Sequence, residues 1–284
     1  MRVLILGASG MLGSAMFRLF SESSELTVFG TVRSVKSIAQ LPSNLHKRAI
    51  PDIDVENYDM LVKVFSQVHP DVVVNCIGLV KQLAGANDPL HAIPLNSLLP
   101  HRIAALCQAT NARFIHISTD CVFSGKKGNY VESDLPDAED LYGRTKLLGE
   151  VSLRHTVTLR TSIIGHELIG NKSLVNWFLA QSGTIKGYTK AIFSGLPTVE
   201  LATIVRDIVI PNKLLYGLYH VSSAPISKFN LLNLVAETYK KKIEINPTED
   251  LVIDRSLSSA YFNEATGYVA PAWPELIKRM FEFK

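Results

Sequence analysis

Three cysteines are few for 284 residues, and Cys76, Cys107 and Cys121 form no CxxC pair. That spacing excludes a disulfide framework and a thiolate metal site, and it suits a reducing cytoplasm. The eight histidines include no HxH or HExxH spacing, so no metal is expected. Charge of one sign is scarce as well. A net charge of +3 is too small for a nucleic-acid surface, and the one basic run, Lys240 to Lys242, reads as a solvated helix end. No apolar run approaches the ~18 residues that span a bilayer. The opening "MRVLILGASGMLGSA" imitates a secretion signal, with one Arg, an apolar stretch and small residues, but regularly spaced glycines interrupt it. The expectation is a soluble, cytoplasmic chain with an intact and functional N-terminus and no membrane or nucleic-acid partner.

What is present is ordinary globular material: 47% apolar and 19% charged residues, without repeats or low-complexity linkers. Through the first 160 or so residues, β-branched runs ("RVLIL", "LTVFGTV", "DVVVNC", "RFIHIS", "TVTLRTS") alternate with helical patterns ("MLGSAMFRLF", "YDMLVKVFSQV", "LPHRIAALCQAT", "YGRTKLLGEVS"). Continuous apolar strands alternating with helices predict an α/β fold, a Rossmann-like doubly wound parallel sheet. After Ser162 the regularity weakens. "LVNWFLAQ" and "VELATIVRDIV" read as helices, "TIKGYTKAIFSGLPT" as turn-rich, "GLYHVSS" as a strand, and "ISKFNLLNLVAETYKKK" and the segment after Pro274 as helices. The expected organisation is a cofactor domain over residues 1–162, joined by about 198–225, with 163–284 forming mainly a smaller, partly interleaved substrate lobe. Trp177 and Trp273 read as packing residues of that lobe, and His116 as a hydrogen-bonded strand residue.

"GASGMLG" sets Gly7, Gly10 and Gly13 in a G-x-x-G-x-x-G frame between the first strand and the first helix. Lacking a Cβ, such a loop can turn sharply and bring a pyrophosphate against free helix N-terminal N–H groups, with Ser9, Met11 and Leu12 completing the contact. An acidic residue commonly meets the adenosine ribose about 20 residues past the glycines. Here Arg33 stands at that distance. A guanidinium suits a 2′-phosphate, so the expected cofactor is NADPH rather than NADH, unless Arg33 is a solvated loop charge. In "DIDVENYD", Asp54 and Val55 are placed beside the adenine and Asn57 caps the next helix. "NCIGLVKQ" brings Cys76, Ile77 and Gly78 to the carboxyl edge of the sheet, where ligand approaches. Lys81 and Gln82 follow and reach either an anionic substrate or solvent.

In "STDCVFSGKKGNYVESDLPDAEDLYGRTKLLGE", Ser118 and Thr119 end the fifth strand, at the same edge as the glycine loop. Tyr142 and Lys146 are four apart and share one helix face. Tyrosine alone is a weak proton donor near neutral pH, but a neighbouring cation favours the phenolate and lowers its pKa. Lys146 is also placed to bond a nicotinamide ribose, and a strand-end hydroxyl to hold a reacting carbonyl oxygen.

Together these motifs resemble the extended short-chain dehydrogenases/reductases, and within them the dTDP-4-dehydrorhamnose reductase group. The resemblance runs through "GASGMLG", "PDVVVNC", "ISTDCVFSGKKGNYVESD", "YGRTKLLGE", "LRTSIIG" and "NEATGYVAPAWPELI". It implies NADPH-dependent reduction of the 4-keto group of a nucleotide-linked 4-keto-6-deoxy sugar, in surface polysaccharide precursor synthesis. By the same resemblance Tyr142 is the general acid, Lys146 its ribose-binding partner, and Thr119 the hydroxyl on the substrate oxygen. Lys81, Asn96, Cys121, Arg160, Thr198 and Arg255 are the implied substrate contacts. Asn96 reads equally as a helix-interior residue facing a backbone defect, and Thr198 and Arg255 as parts of surface turns. The implied partner is the nucleotide sugar, and a homodimer stays open.

One residue departs from the pattern. The group reads Ser-Thr-Asp-Tyr where this chain has Cys121, which leaves the sugar and the nucleotide unnamed. The absence of Glu at that position weighs against a 4,6-dehydratase. A 4-epimerase with bound NAD would use the same Tyr-Lys-Thr set, and Arg33 weighs against it. A non-catalytic regulatory subunit of the same fold remains open.

Overall fold

In the computed structural model, which describes residues 1–81 and 85–284, Arg2–Leu6 forms β1 and is fully buried from Val3 onward. Gln82, paired above with Lys81, lies outside the described residues. Strands covered on both faces have no solvent side to alternate towards, which is why the run is continuously apolar. β4 (Val72–Asn75) and β6 (Thr156–Thr161) are likewise buried at every position, and β5 (Arg113–Thr119) runs between them.

With β2 (Thr27–Thr31), β3 (Ala49–Ile50) and the late strand Gly217–His220, they build one seven-stranded parallel sheet. Its order is Gly217–His220, β6, β5, β4, β1, β2, β3. The chain therefore steps outward in one direction from β1 to β3 and in the other from β4 onward. A crevice opens above the carboxyl ends of β1 and β4, where the direction reverses.

Parallel neighbours need crossovers, and helices on both faces supply them. On one face α1 (Met11–Ser21) packs with the helix Thr198–Ile204, burying Met16, Phe17, Phe20, Leu201 and Val205. The other face is covered by the helices Tyr58–Val68 and Leu99–Ala109, which enclose Leu61, Phe65, Ile103 and Phe114. Asn57 caps the first of these as expected, its Oδ1 accepting from the N–H groups of Asp59 and Met60 at 3.1 and 3.3 Å.

Beyond β6 the turn-rich segment holds more strand than its composition suggests. Thr184–Tyr188 pairs with Glu244–Thr248, and Ala191–Phe193 lies between Ile226–Ser227 and Ile253–Asp254. Trp273 is buried and donates its indole N–H to the Ala224 carbonyl at 2.7 Å. Trp177, expected to pack as well, is 37% exposed, because only one side of its short helix faces the core.

The first turn of α1 depends on residue 13 having no side chain. A Cβ there would overlap the Gly7 carbonyl oxygen of the preceding loop. We expect Gly13→Ala to destabilise the fold by about 2 kcal/mol or more, read from denaturant unfolding, because loop and helix must separate to admit the methyl group.

Candidate active site

Thr119 closes β5 in extended conformation (φ −140°), and its buried Oγ1 accepts from the Cys121 N–H at 3.1 Å while donating to Asp120 Oδ1 at 3.1 Å. The chain then makes a 3₁₀ turn, Asp120–Val122. Asp140 begins the helix Leu141–Leu148, its Oδ1 accepting from the Gly143 N–H at 2.8 Å. A Cβ on residue 143 would overlap the Cys121 carbonyl oxygen, so glycine lets the helix sit directly on the turn. Tyr142 is thereby brought beside Thr119, whose hydroxyl acts on its phenol. One turn on, Lys146 is buried and donates to the Ile117 carbonyl at 2.8 Å.

The electrostatics differ from the expectation. Burial pushes the Tyr142 phenol up, with Cys121, Asp120 and Asp140 adding to the rise and Thr119 opposing it. The Lys146 ammonium expected to lower it bonds the Ile117 carbonyl on the strand, and burial outweighs the other influences. Burial instead lowers Lys146 from 10.5 to about 8, against the pull of Glu150 and Cys76. The phenol is consequently held in its protonated form through the neutral range.

On the cofactor side, Gly10 starts α1 in extended conformation with no side-chain cap, so the helix N–H groups face the crevice. Ser9 and Met11 are half-buried there. Leu12 points into the core, so its side chain is withdrawn from ligand and only its main chain can contribute. Arg33 stands exposed just past β2. Asp54 is exposed and its Oδ1 accepts from the Glu56 N–H at 3.0 Å, beside a Val55 that packs on the core. Ile77 donates its N–H to Asn75 Oδ1 at 3.1 Å, and Cys76 points its Sγ at Met16 Sδ, 3.5 Å away. Its thiol is pushed up to about 12 by burial, so it is inert. A Cβ built on Gly78 would be 3.6 Å from Asn96 Oδ1 and 4.0 Å from Lys146 Nζ. The β4 exit and the Tyr142 helix thus meet at one point.

The family model described as RmlD substrate binding domain matches residues 1–282. The chain belongs to that family. The resemblance carried by the glycine loop, the Ser-Thr-Asp run and the Tyr-x-x-x-Lys helix is borne out. A probable low-salt glycan biosynthesis reductase, Agl14, from Haloferax volcanii is 28% identical over 234 residues, covering 78% of this chain and 75% of the relative. The β subunit of methionine adenosyltransferase 2 from Mus musculus is 35% identical over 150 residues, 52% of this chain and 41% of that protein. A structure of dTDP-4-dehydrorhamnose reductase from Bacillus anthracis in complex with NADP matches with a TM-score of 0.80 at 22% identity, over 100% of this chain and 99% of that one. At that identity the likeness is one of fold.

Within this family member, several side chains expected to meet substrate are engaged elsewhere. Asn96 lies in a π-helical turn, Ile93–Leu98, and is buried. Its Oδ1 accepts from the Leu79 N–H at 2.8 Å, and its Nδ2 donates to the Leu79 carbonyl and to Thr145 Oγ1 at 3.1 and 3.2 Å. The reading as a residue facing a helix defect is the one the geometry favours. Arg160 is buried and forks onto both oxygens of Glu150 at 2.8 and 2.7 Å, so its charge is internally neutralised. Thr198 is buried beside a cavity of about 200 Å³ that Met11, Ser14 and His166 also line.

Lys81, Cys121 and Arg255 do stay beside the phenol. Lys81 donates to Asp140 Oδ2 at 2.7 Å and lies 5.6 Å over the Tyr142 ring. Arg255 donates to the Phe123 carbonyl at 2.7 Å and points Nη1 at Cys121 Sγ, 3.9 Å away. Lys228 joins them without having been foreseen: burial lowers its pKa, with Asp120 and Cys121 pulling it up and Arg255 adding to the fall. Nothing in "ISKFNLL" signals that role. Asp140 and Gly143 were also missed, although an Asp directly before an apolar helical run is a start signal.

Asn96→Ala would leave both polar groups of Leu79 without their side-chain partner and cut the tie to Thr145. We expect a loss of about 1–3 kcal/mol in denaturant unfolding. A change below about 0.5 kcal/mol would show that the amide is not what joins the β4 exit to the Tyr142 helix.

Proposed function

We propose that the protein is an NADPH-dependent reductase of the 4-keto group of a nucleotide-linked 4-keto-6-deoxy sugar, serving surface polysaccharide precursor synthesis in the cytoplasm. The observation that carries this reading is the convergence of Thr119, Tyr142 and Lys146 at the sheet edge, next to an uncapped glycine-loop helix. Among the described residues no helix is long and apolar enough to cross a membrane.

The cofactor cradle fits the reading. The uncapped N–H groups at Gly10 and the side-chain-free approach of Gly13 to Gly7 leave the main chain open to a pyrophosphate. Arg33 would hold the 2′-phosphate and Lys146 the nicotinamide ribose. When bound, NADPH supplies the hydride that reduces the carbonyl carbon. Thr119 holds the carbonyl oxygen, and Tyr142, kept protonated by burial, delivers its proton as negative charge develops there. Lys146 provides the positive field beneath that exchange. We assign the cofactor domain to residues 1–162 with about 198–225, and the substrate lobe mainly to 163–284. The pairing of Gly217–His220 on β6 supports the interleaving.

A second reading, a regulatory subunit without turnover, draws on the likeness to a protein named as the β subunit of methionine adenosyltransferase 2, of which the match covers 41%. A 4-epimerase is disfavoured by Arg33, which suits a 2′-phosphate that NAD lacks.

Following NADPH absorbance with dTDP-, UDP- and GDP-linked 4-ketosugars separates these readings. Oxidation with one of them is expected, whereas none with the whole panel would favour the regulatory role. Tyr142→Phe should lower kcat at least about 100-fold, the range of general acid catalysis, and leave NADPH affinity nearly unchanged. Retention of most activity would dismiss Tyr142 as the proton donor. Arg33→Ala should weaken NADPH binding about tenfold or more and NADH binding little, measured by fluorescence titration. Equal losses would remove the 2′-phosphate role.

A further inference from the structure

Glu150 lies just beyond the Tyr142 helix, and neither its position nor its chemistry is used by the proton transfer. Its Oε1 accepts from Ser118 Oγ at 2.7 Å and from Arg160 Nε at 2.8 Å, while Oε2 accepts from Arg160 Nη2 at 2.7 Å. Lys146 Nζ bonds the carbonyl of Ile117, the residue next to Ser118. Carboxylate and ammonium therefore grip consecutive residues of β5, at the strand end that carries Thr119.

We propose that Glu150 is a positioning residue that fixes the end of β5 against the Tyr142 helix and sets a carboxylate beside the buried Lys146 ammonium. The inference rests on the reading of Lys146 as the cation of a reductase site. The other groups that face Lys146 supply no negative charge. From the β4 exit, Cys76 is a neutral thiol up to about pH 12. From β5, His116 is held well below the usual histidine range by burial and by the Lys146 and His101 charges, so it is a neutral imidazole. On its own helix, Tyr142 is a neutral phenol. Among the described residues this leaves Glu150 as the anion that opposes the desolvation of Lys146. Arg160 pins the carboxylate in place, and His220 Nε2, 3.3 Å from Arg160 Nη1, closes the far side.

The sign follows directly. Lys146 is charged below about pH 8 and loses its proton above it. Removing a nearby anion moves that midpoint further down. The test is the titration of the Lys146 ε-carbon resonance by NMR in cofactor-free protein carrying isotope-labelled lysine. In Glu150→Gln the midpoint should fall by about one pH unit, and kcat/KM on the alkaline side should fall about tenfold at a given pH. If Glu150→Gln does not fold, the double variant Glu150→Gln with Arg160→Met carries no unpaired buried charge, and because a cation leaves with the anion its Lys146 midpoint should fall by less than about one pH unit. A folded variant whose Lys146 midpoint equals that of the unaltered protein overturns the proposal and makes Glu150 a structural ion-pair partner only. Because the resonance is read without substrate, a protein that turned over no ketosugar would fail the reductase reading and still decide this one.

Discussion

Where the Tyr142 helix crosses the turn after β5, the Cys121 carbonyl occupies the space that a side chain on residue 143 would need. Packed helices and their neighbours ordinarily stand off by a layer of side chains, which would leave a phenol and a strand-end hydroxyl too far apart to share a proton. The missing side chain removes that layer. Asp140 fixes where the helix begins, Thr119 caps the turn it rests on, and Lys146 reaches back to the strand one turn later. Each depends on the main chains having come this close.

Close approach also excludes water, and the charges respond. Both Tyr142 and Lys146 are driven towards their neutral forms, the phenol upward and the ammonium downward. For a proton donor in a reduction, a neutral phenol is the useful form. In the proposed reaction it would give up its proton only as an oxyanion grew beside it, so the interaction would strengthen in the transition state rather than in the ground state. The ammonium is the harder group to hold. Its burial is offset by the Ile117 carbonyl and by the Glu150 carboxylate that Arg160 pins.

Much of this was legible in the sequence because it follows from period and order. Continuous apolar runs mark doubly covered strands, the 3.6-residue period puts Tyr142 and Lys146 on one face, and the strand sequence brings "FIHISTD" to the edge used by "GASGMLG". What was not legible depends on partners distant in the chain. Thr184–Tyr188 is turn-rich until Glu244–Thr248 pairs with it. Arg160 resembles a ligand-binding cation until Glu150, across a loop, accepts its fork. The π-helical turn that places Asn96 has no composition of its own, and the direction of the Tyr142 shift is set by burial, which spacing does not specify.

Cys121 lies at the meeting point of those distant segments. Lys81 comes from the β4 exit, Lys228 from the start of a late helix, and Arg255 from the end of a short strand, and all three act on the Asp120–Cys121 turn. Burial raises the Asp120 carboxyl, against the pull of Arg255, Thr119, Cys121 and Lys81. Three basic side chains thus gather at this turn, Lys81 paired with Asp140, while Thr119 and Lys146 below it are buried. In the proposed reaction the basic side chains would meet a diphosphate and the buried floor a carbonyl, which is the division a nucleotide-linked ketosugar requires. With sulfur in place of an aromatic ring at position 121, the wall nearest the phenol is small, and in the proposed reaction the shape of the sugar would be set by Lys228 and Arg255 rather than by the strand that contributes Thr119.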